Sequence, residues 1–240
     1  MKAAPLILLA PSEDKTSGGR RGRLPESPAQ RWVRERLVAL AKTGSPEALK
    51  KAFDVKDLAL DKARTEALAL TGSVPLLPAL ARYTGVAFQA LDAASLPPEA
   101  WSRVFILSNL RGLVRGDEPV PPYKLKLGAI PGLKGHWREA LPEQLARIPE
   151  GSLWELLPRD SADLLKDWPR PRHTVEIFDD GGKAVSHFSK KYRGLVARWI
   201  LTHQEGGPRQ VLKGRIPGCQ WAGVSENGLG GMSLRLVVDP

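Results

Sequence analysis

The sequence predicts a mixed α/β fold, with one compact domain over residues 1–240 and a central mixed sheet flanked by helices. Three observations support this prediction. Short apolar runs of strand length alternate with segments of helical periodicity along the whole chain. Hydrophobic residues make up 42% of the 240 positions and charged residues 26%, a balance that supports a sizeable core. No internal repeat, heptad run or linker divides the chain.

The first element is a buried strand predicted over residues 6–10, Leu-Ile-Leu-Leu-Ala. A signal peptide is the alternative for this apolar run, but the run is short and charged residues follow at 13–15. No other segment approaches the roughly 20 apolar residues that a membrane helix needs. We therefore expect a cytoplasmic protein without a membrane partner.

Three helices follow in the next sixty residues. Pro28 is typical of a first helical position, and Ser45-Pro46 indicates a capped start for a second helix that runs through Ala52. A third helix is predicted from Lys56 to about Leu70. The segment 45–70 therefore resembles a helix-hairpin-helix, a unit in which turn amides and lysines hold phosphates.

The lysines available to this helix pair are Lys50, Lys51 and Lys56. The glycine usual in such a turn is replaced by Asp54, so an ordinary packed helix pair is the favoured alternative.

Strands and helices alternate through the remainder of the chain. Strands or extended segments are predicted at 104–107, 123–127, 152–156, 218–224 and 232–238, and helices at 134–147, near 161–168 and from about 190. A hairpin is predicted from residues 174–178 and 184–188, because Asp-Asp-Gly-Gly between them supplies the positive φ angles of a tight turn.

The positive charge of the chain is concentrated near its C-terminal third. The net charge is +10, and residues 183–215 contain eight basic residues against one acid, Glu205, a local net charge of +7. A second basic group, Arg20, Arg21 and Arg23, lies in a glycine-rich loop. This distribution predicts DNA or another polyanion as partner, with a small anionic ligand as the alternative.

The strongest candidate site lies in residues 186–194, Ser-His-Phe-Ser-Lys-Lys-Tyr-Arg-Gly, between a predicted strand and a helix. Helix N-termini carry partial positive charge, so acidic residues are favoured there. This helix has Lys190, Lys191 and Arg193 instead, and Arg198 lies along the same side as Lys191. The pattern predicts a phosphate site at these four cations, and a solvated basic face is the alternative. His187 is a candidate general base, although a packed histidine is more common at such a position.

A second group of polar residues follows or flanks the predicted strands. Its members are Ser12, Lys15, Tyr83, Ser108, Tyr123 and Lys124. We expect them to converge on the same cleft as the Lys190 group, which consists of Lys190, Lys191, Arg193 and Arg198. The residues expected to bind an anion or nucleic acid are Lys15, Lys124, Lys50, Lys51 and the Lys190 group. A lysine whose pKa is lowered by burial and neighbouring cations acts as a base or nucleophile. Under that enzymatic alternative, the catalytic candidates are Ser12, Lys15, Tyr83, Ser108, Tyr123 and Lys190.

No metal or cofactor site is predicted. Cys219 is the only cysteine, and no cysteine lies near any of the four histidines at a zinc-site spacing. A lone cysteine suits a reducing compartment, and we expect Cys219→Ser to leave function nearly unchanged because no resolving cysteine exists.

These segments together resemble the YaaA family of bacterial peroxide-stress proteins. The resemblance spans nearly the whole chain and rests on the order and spacing of several pieces: Pro11-Ser12-Glu13 with Lys15, Arg82-Tyr83-Thr84-Gly85-Val86 with Leu91-Asp92, Ser108 with Leu110 and Gly112, Pro121 with Tyr123-Lys124-Leu125, and Ser186-His187 with Lys190, Arg193-Gly194 and Arg198. It implies a compact α/β fold with a helix-hairpin-helix-like insertion, a positively charged cleft, DNA binding and a role in limiting peroxide damage.

The chain departs from the family pattern at several positions. Asn109 and Arg111 stand where the family usually has a glycine and an aromatic residue, and Glu118 stands near an expected aspartate. Leu157-Pro158 with Ala162 replaces a serine-containing turn and a tyrosine. A catalytic role that requires that serine or tyrosine is therefore not expected, and a specialised member of the family is indicated.

Two functions thus follow from the sequence. The first is a DNA-binding stress protein that contacts the phosphate backbone with little base readout. The second is an enzyme that acts on a nucleotide, a nucleobase or another small anionic metabolite in the same cleft. A deep pocket with a buried lysine favours the enzyme, and an open basic groove favours the binder.

Overall fold

A computed structural model of the chain describes residues 4–185, 189–203 and 207–238. The strands are β1 (Leu6–Leu9), β2 (Arg20–Gly22), β3 (Val74–Pro78), β4 (Val104–Ser108), β5 (Gly112–Arg115), β6 (Pro119–Val120), β7 (Leu153–Leu156), β8 (His173–Asp179), β9 (Cys219–Glu226) and β10 (Met232–Val238). The helices are α1 (Pro28–Thr43), α2 (Pro46–Phe53), α3 (Asp57–Ala69), α4 (Ala79–Arg82), α5 (Val86–Leu91), α6 (Pro98–Trp101), α7 (Leu133–Leu145), α8 (Arg159–Ala162), α9 (Ser189–Thr202) and α10 (Pro208–Val211). The mixed α/β class predicted from the sequence is confirmed.

The larger sheet has seven strands in the order β5-β4-β1-β7-β8-β10-β9. β1 is parallel to β7, β7 to β8, and β8 to β10, whereas β9 is antiparallel to β10. All residues of β1 and β4 are buried. Continuous apolar runs such as the Leu-Ile-Leu-Leu of β1 are typical of strands covered on both faces, and this is why the first strand is recognisable from the sequence.

The chain forms two compact units, each built from separate stretches of sequence. Unit 1 contains the residues up to Ala10, the segment Gly85–Phe105 and the residues from Pro149 onward. Unit 2 contains Pro11–Thr84 and Ile106–Ile148. The expectation of one domain over residues 1–240 stays a prediction.

Unit 2 contains a small three-stranded antiparallel sheet in the order β2-β3-β6. Gly19 leads into β2 with φ +111°, and a Cβ at this position would lie 2.3 Å from the carbonyl oxygen of Leu76. Only glycine tolerates both the backbone angle and this close approach. The glycine-rich loop therefore brings the chain against β3.

Helix starts in unit 2 follow the capping signals in the sequence. The Ser27 hydroxyl accepts a hydrogen bond from the Gln30 amide, and the Gln30 side chain accepts one from the Ser27 amide, which closes a capping box at α1. The Ser45 hydroxyl accepts from the Ala48 amide at the start of α2. The predicted helix starts at Pro28 and Ser45-Pro46 are therefore confirmed.

The helix-hairpin-helix assignment of residues 45–70 is not confirmed. α2 and α3 form a pair, but Asp54 ends α2 in the left-handed conformation, with φ 54°. Its carboxylate lies 2.5 Å from the Lys126 ammonium, and the Lys126 amide donates to the carbonyl of Ala52. A carboxylate in the turn repels phosphate, and the Lys50 ammonium is paired with Asp57 at 2.9 Å. Lys51 is exposed on α2.

The predicted hairpin at 174–188 is only partly formed in the described residues. Its first strand is β8, but the sheet neighbours of β8 are β7 and β10. The returning chain makes a single bridge between Phe178 and Ala184 before residues 186–188, which lie outside the described range. The residues of the turn determine its conformation, whereas the neighbours of β8 in the sheet are determined by pairing with strands that are distant in sequence.

Two other predicted elements differ from those observed. Residues 123–127 form no strand, because Lys126 donates its amide to α2 and the Leu125 carbonyl accepts from the side chain of Asn109. The helix predicted near 161–168 is the short α8 followed by a 3-10 turn at Asp163–Leu165. The guanidinium of Arg172 binds the carbonyls of Leu165 and Trp168 and thereby ends the turn.

Candidate functional site

The loop after β1 is held beside the chain segment that follows α4. Lys15 and Tyr83 form an antiparallel bridge, the Thr16 amide donates to the Arg82 carbonyl at 2.9 Å, and the Thr84 amide donates to the Asp14 carbonyl at 3.0 Å. This short ladder fixes the backbone on both sides of Lys15. The position of Lys15 is therefore set by backbone pairing within unit 2.

Arg82 anchors the same loop from inside unit 2. Its side chain is fully buried, and its guanidinium donates to the carbonyls of Thr16, Gly18 at 3.0 Å, Pro75 at 3.0 Å and Val120 at 3.1 Å. These carbonyls belong to separate segments, so one arginine joins the Lys15 loop to β3 and β6. No pattern in the sequence identifies this role, because its only sign is an arginine beside a candidate tyrosine.

The Lys15 side chain packs against two tyrosine rings. Its Nζ atom lies 4.0 Å from the ring centroid of Tyr123 and 5.2 Å from that of Tyr83, and it donates to the Ser12 carbonyl at 2.6 Å. Although the residue as a whole is partly exposed, this packing removes water from the ammonium group. Burial, together with the positive charge of Lys124, lowers the pKa of Lys15 from 10.5 to about 7.

A chain of buried hydroxyl groups adjoins Lys15. The Ser108 hydroxyl lies 2.9 Å from the Tyr123 hydroxyl, which lies 3.0 Å from the Tyr83 hydroxyl. The amide of Arg111 donates to Ser108 Oγ at 3.1 Å and so orients the end of this chain. Burial raises the pKa of both Tyr83 and Tyr123 above 10, so both phenols stay protonated at neutral pH.

This group, which we call the Lys15 cluster, consists of Lys15, Tyr83, Ser108 and Tyr123. It combines an amine whose pKa is lowered to about 7 with three protonated hydroxyls that are linked by two hydrogen bonds. A neutral amine accepts a proton or attacks an electrophile, and protonated hydroxyls stabilise developing negative charge. The arrangement has the chemical groups required for acid-base or nucleophilic catalysis.

Ser12 and Lys124 lie at the edge of the Lys15 cluster. The Ser12 hydroxyl is bonded to the backbone of Asp14, and the carbonyl of Ser12 holds the Lys15 ammonium. The Lys124 ammonium is 3.5 Å from the Asp14 carboxylate and its charge contributes to the lowered pKa of Lys15. Of the predicted catalytic set, Lys15 contacts the rings of Tyr83 and Tyr123, and Ser108 is hydrogen-bonded to Tyr123. Ser12 contributes its backbone carbonyl, which accepts from the Lys15 ammonium.

The Lys190 group lies on α9 in unit 1. Lys190 and Lys191 are exposed in the first turn, which has no acidic residue. Arg193 is half-buried and donates to the Ser189 hydroxyl at 2.8 Å, and burial lowers its pKa. Arg198 donates to the carbonyls of Leu91 and Asp92 and to Ser95 Oγ, with the Asp92 carboxylate at 3.2 Å.

Two of the four predicted cations of α9 are therefore already bonded within unit 1, and two face solvent. The predicted partners Ser186 and His187 lie outside the described residues. The predictions that Lys190 shares a pocket with the Lys15 cluster and that these cations bind an anion stay predictions. Cys219 is half-buried with its thiol 3.4 Å from the Ile216 carbonyl, and its dispensability likewise stays a prediction.

Two further features bear on the expected ligands. Over residues 4–185, 189–203 and 207–238, no helix is both long and apolar enough to cross a membrane. In the same ranges, His, Cys, Asp and Glu form no group of three or more that is arranged to hold a metal ion.

Known proteins share the sequence features of this chain over most of its length. The profile of the family described as peroxide stress protein YaaA matches residues 6–222. A UPF0246 protein of Corynebacterium efficiens is 35% identical over 213 residues, covering 82% of this chain and 85% of the relative. A UPF0246 protein of Corynebacterium glutamicum is 30% identical over 218 residues, covering 83% and 86%, and one of Streptomyces coelicolor is 30% identical over 235 residues, covering 87% and 88%. The chain belongs to the YaaA peroxide stress protein family.

Proposed function

We propose that this chain serves the response to peroxide stress as an enzyme that acts on a small anionic ligand at the Lys15 cluster. The observation that carries the proposal is the lysine amine, with a pKa of about 7, packed against the rings of Tyr123 and Tyr83. A surface lysine that only attracts anions keeps a pKa near 10.4, whereas a lysine used as base or nucleophile needs a pKa near the working pH. Membership of a peroxide-stress family supplies the physiological context.

The proposed roles follow from the protonation states. Neutral Lys15 takes a proton from the ligand and becomes an ammonium, and Tyr123, with Ser108 behind it, donates a hydrogen bond to the negative charge that develops on the deprotonated ligand. Lys124 attracts the anion and, after burial, is the second cause of the low Lys15 pKa. The ligand class that suits these groups is a nucleotide, a nucleobase or another small anionic metabolite. A cytoplasmic location, which the single cysteine favours, belongs to the same proposal.

The test is a turnover assay with the full chain on a panel of ribonucleoside monophosphates and free nucleobases, followed by proton NMR. We expect wild-type protein to convert at least one member and Lys15→Met to abolish conversion, with Tyr123→Phe reducing it by about 100- to 1,000-fold, the usual cost of removing one donor to a developing negative charge. Lys42→Met is the matched control, because Lys42 is exposed on α1. Conversion that survives Lys15→Met, or failure of the whole panel, would contradict the proposal.

A second candidate function is DNA binding through backbone contacts. Its specific support is the pair of exposed lysines, Lys190 and Lys191, at the positive end of α9 where no acidic residue opposes them. Clustered cations contact the phosphate backbone of DNA and not the base edges. DNA affinity should therefore be nearly the same for different base sequences and should fall steeply as the salt concentration rises.

The DNA proposal is tested by salt titrations of affinity on two unrelated duplexes. Lys190→Gln/Lys191→Gln should weaken binding and flatten the salt slope by up to roughly 0.9 for each lost phosphate contact. The control with the same charge change is Lys42→Gln/Lys166→Gln, at two exposed lysines outside the Lys190 group. Equal losses in both double variants would indicate a general charge effect and would count against a site at α9.

A further inference from the structure

Unit 2 contains a pocket of about 170 Å³ whose lining residues do not include the members of the Lys15 cluster. Four charged side chains line it: Arg23, Glu26, Arg34 and Arg111. Apolar side chains, including Leu110, form another part of the wall. We call this cavity the arginine pocket.

The lining of the arginine pocket has an excess of positive charge. Arg34 Nε lies 3.0 and 2.8 Å from the two carboxylate oxygens of Glu26, and both side chains are about one-fifth exposed. This pair is electrically balanced. The charges of Arg23, which is exposed, and Arg111 remain, so the lining has a net charge of +2 from three arginines and one glutamate. An anion is the complementary occupant.

Arg111 has a buried donor with no acceptor among the residues that the structure describes. Its Nε atom is inaccessible to solvent and has no hydrogen-bond acceptor in the described part of the chain, whereas its Nη2 atom donates to the Pro25 carbonyl at 3.2 Å. Leaving a buried N–H unpaired costs about 1–3 kcal/mol, and more for a charged group. A ligand carboxylate that draws the guanidinium into the pocket would supply the missing acceptor and remove that cost.

The backbone of Arg111 is fixed independently of its side chain. The amide donates to Ser108 Oγ at 3.1 Å, and the carbonyl accepts from Gln30 Nε2 at 2.9 Å. Because the backbone of Arg111 is already fixed, a bound ligand needs to order only the side chain, which lowers the entropic cost of binding. The same amide connects the residue to the hydroxyl chain that ends at Tyr83.

We infer that the arginine pocket binds a small organic carboxylate, with its carboxylate on Arg111 and Arg23 and its apolar body against Leu110. The planar guanidinium matches a carboxylate in a bidentate manner, and the mixed wall favours an anion that is also apolar. The pocket of about 170 Å³ is smaller than the roughly 300–1,000 Å³ of drug-sized sites, so its occupant is small. This inference does not depend on the proposed reaction at Lys15.

The test is isothermal titration calorimetry of the full chain with benzoate, and with benzylamine and benzyl alcohol as probes of similar shape. Benzoate should bind saturably at one site, and the cationic and neutral probes should not. Arg111→Gln should weaken benzoate binding at least about tenfold, equivalent to roughly 1.4 kcal/mol. Glu26→Gln should instead tighten it, because it removes the negative charge of Glu26 from the pocket wall. Arg31→Gln, at an exposed arginine of α1 that does not line the pocket, is the control and should leave affinity unchanged.

Several results would overturn the assignment. They are the absence of saturable benzoate binding to wild-type protein, equal affinity for benzylamine, or equal weakening in Arg31→Gln and Arg111→Gln. Circular dichroism checks that Arg111→Gln is folded, and Glu26→Gln keeps the inference testable if it is not. Because benzoate binding is read without turnover, its failure is distinguishable from failure of the Lys15 proposal.

Discussion

The Lys15 cluster and the α9 cations differ in how their positive charges are surrounded. At Lys15 the ammonium is packed against Tyr123 and beside buried hydroxyls, and its pKa falls to about 7. On α9, Lys190 and Lys191 face solvent, whereas Arg193 and Arg198 are bonded to neighbouring protein groups. The difference teaches that the density of basic residues and the chemical capacity of a basic site are separate properties. The two lysines of α9, in the most basic stretch of sequence, face solvent, whereas Lys15, outside that stretch, is packed so that its pKa falls to about 7.

The largest expected effect distinguishes a buried arginine near Lys15 from a partly exposed one on α9. Arg82 is fully buried and binds four backbone carbonyls, whereas the Arg198 side chain is 34% exposed and binds two carbonyls and a hydroxyl. Arg82→Gln should lower the free energy of unfolding by about 3–5 kcal/mol, since several buried acceptors lose their partner. Arg198→Gln should lower it by about 1 kcal/mol. Urea denaturation measures both.

If Arg82→Gln and Arg198→Gln lower the free energy of unfolding by similar amounts, the greater burial of Arg82 does not make its contribution to stability larger. The proposed difference between the two regions would then be wrong. A cost confined to Arg82→Gln would show that the loop that carries Lys15 depends on this one side chain.

The next effect tests whether packing, and not charge, holds α9 in place. A Cβ on Gly194 would lie 2.1 Å from the Ala87 carbonyl of α5, so Gly194→Ala should cost about 1–3 kcal/mol of stability. Gly135 on α7 has open space where a Cβ would lie, and Gly135→Ala should stabilise by up to about 1 kcal/mol. Thermal denaturation gives both signs. A harmless Gly194→Ala would show that α9 can move away from α5.

The elements that the sequence predicted well are those specified by nearby residues. Pro28 and Ser45-Pro46 mark helix starts because the capping partners are three residues away. β1 is recognisable because a central strand is apolar throughout. The neighbours of β8 and the irregular course of residues 123–127 depend on contacts distant in sequence, and no local pattern contains them.

The candidate site likewise contains some residues that the sequence predicted and others whose roles depend on contacts that it did not reveal. Lys15, Tyr83, Ser108 and Tyr123 were predicted as a group because each follows or flanks a strand, and they are in contact. Arg82 was missed, because its acceptors come from four separate positions. The partners of Arg193 and Arg198 were missed too, since one is a neighbouring hydroxyl and the others lie about a hundred residues earlier.

A smaller effect concerns the pH dependence of stability. The folded state lowers the Lys15 pKa from 10.5 to about 7, so between these pH values the unfolded chain binds more protons and stability rises with pH. Lys15→Met should remove this rise. The full shift corresponds to roughly 5 kcal/mol at about 1.4 kcal/mol per pKa unit, and water at this partly exposed residue should reduce the effect to about 1–2 kcal/mol.

Urea denaturation at pH 6.5 and pH 10 measures the change for Lys15→Met against wild type. Lys124→Gln is the companion variant: it removes the cation that contributes to the low pKa, so the Lys15 pKa measured by NMR should rise while staying below 10.5. An unchanged Lys15 pKa in Lys124→Gln would leave burial as the sole cause, and a wild-type pKa near 10.5 would remove the basis of the Lys15 proposal.

The smallest expected effect is on the apo stability of α9. Lys190 and Lys191 are exposed at the positive end of the helix, where cations are unfavourable by about 0.3–1 kcal/mol each at most. Lys190→Gln/Lys191→Gln should therefore leave the free energy of unfolding within about 0.5 kcal/mol of wild type or raise it slightly. Arg193→Gln should lower it instead, because the half-buried guanidinium donates to the Ser189 hydroxyl. Urea denaturation at low ionic strength, where the charge effect is least screened, compares the three proteins. If the free energy of unfolding of the double variant falls by more than about 1 kcal/mol, Lys190 and Lys191 make stabilising contacts with the protein. Solvent exposure of the lysines would then not be a difference between α9 and the Lys15 cluster.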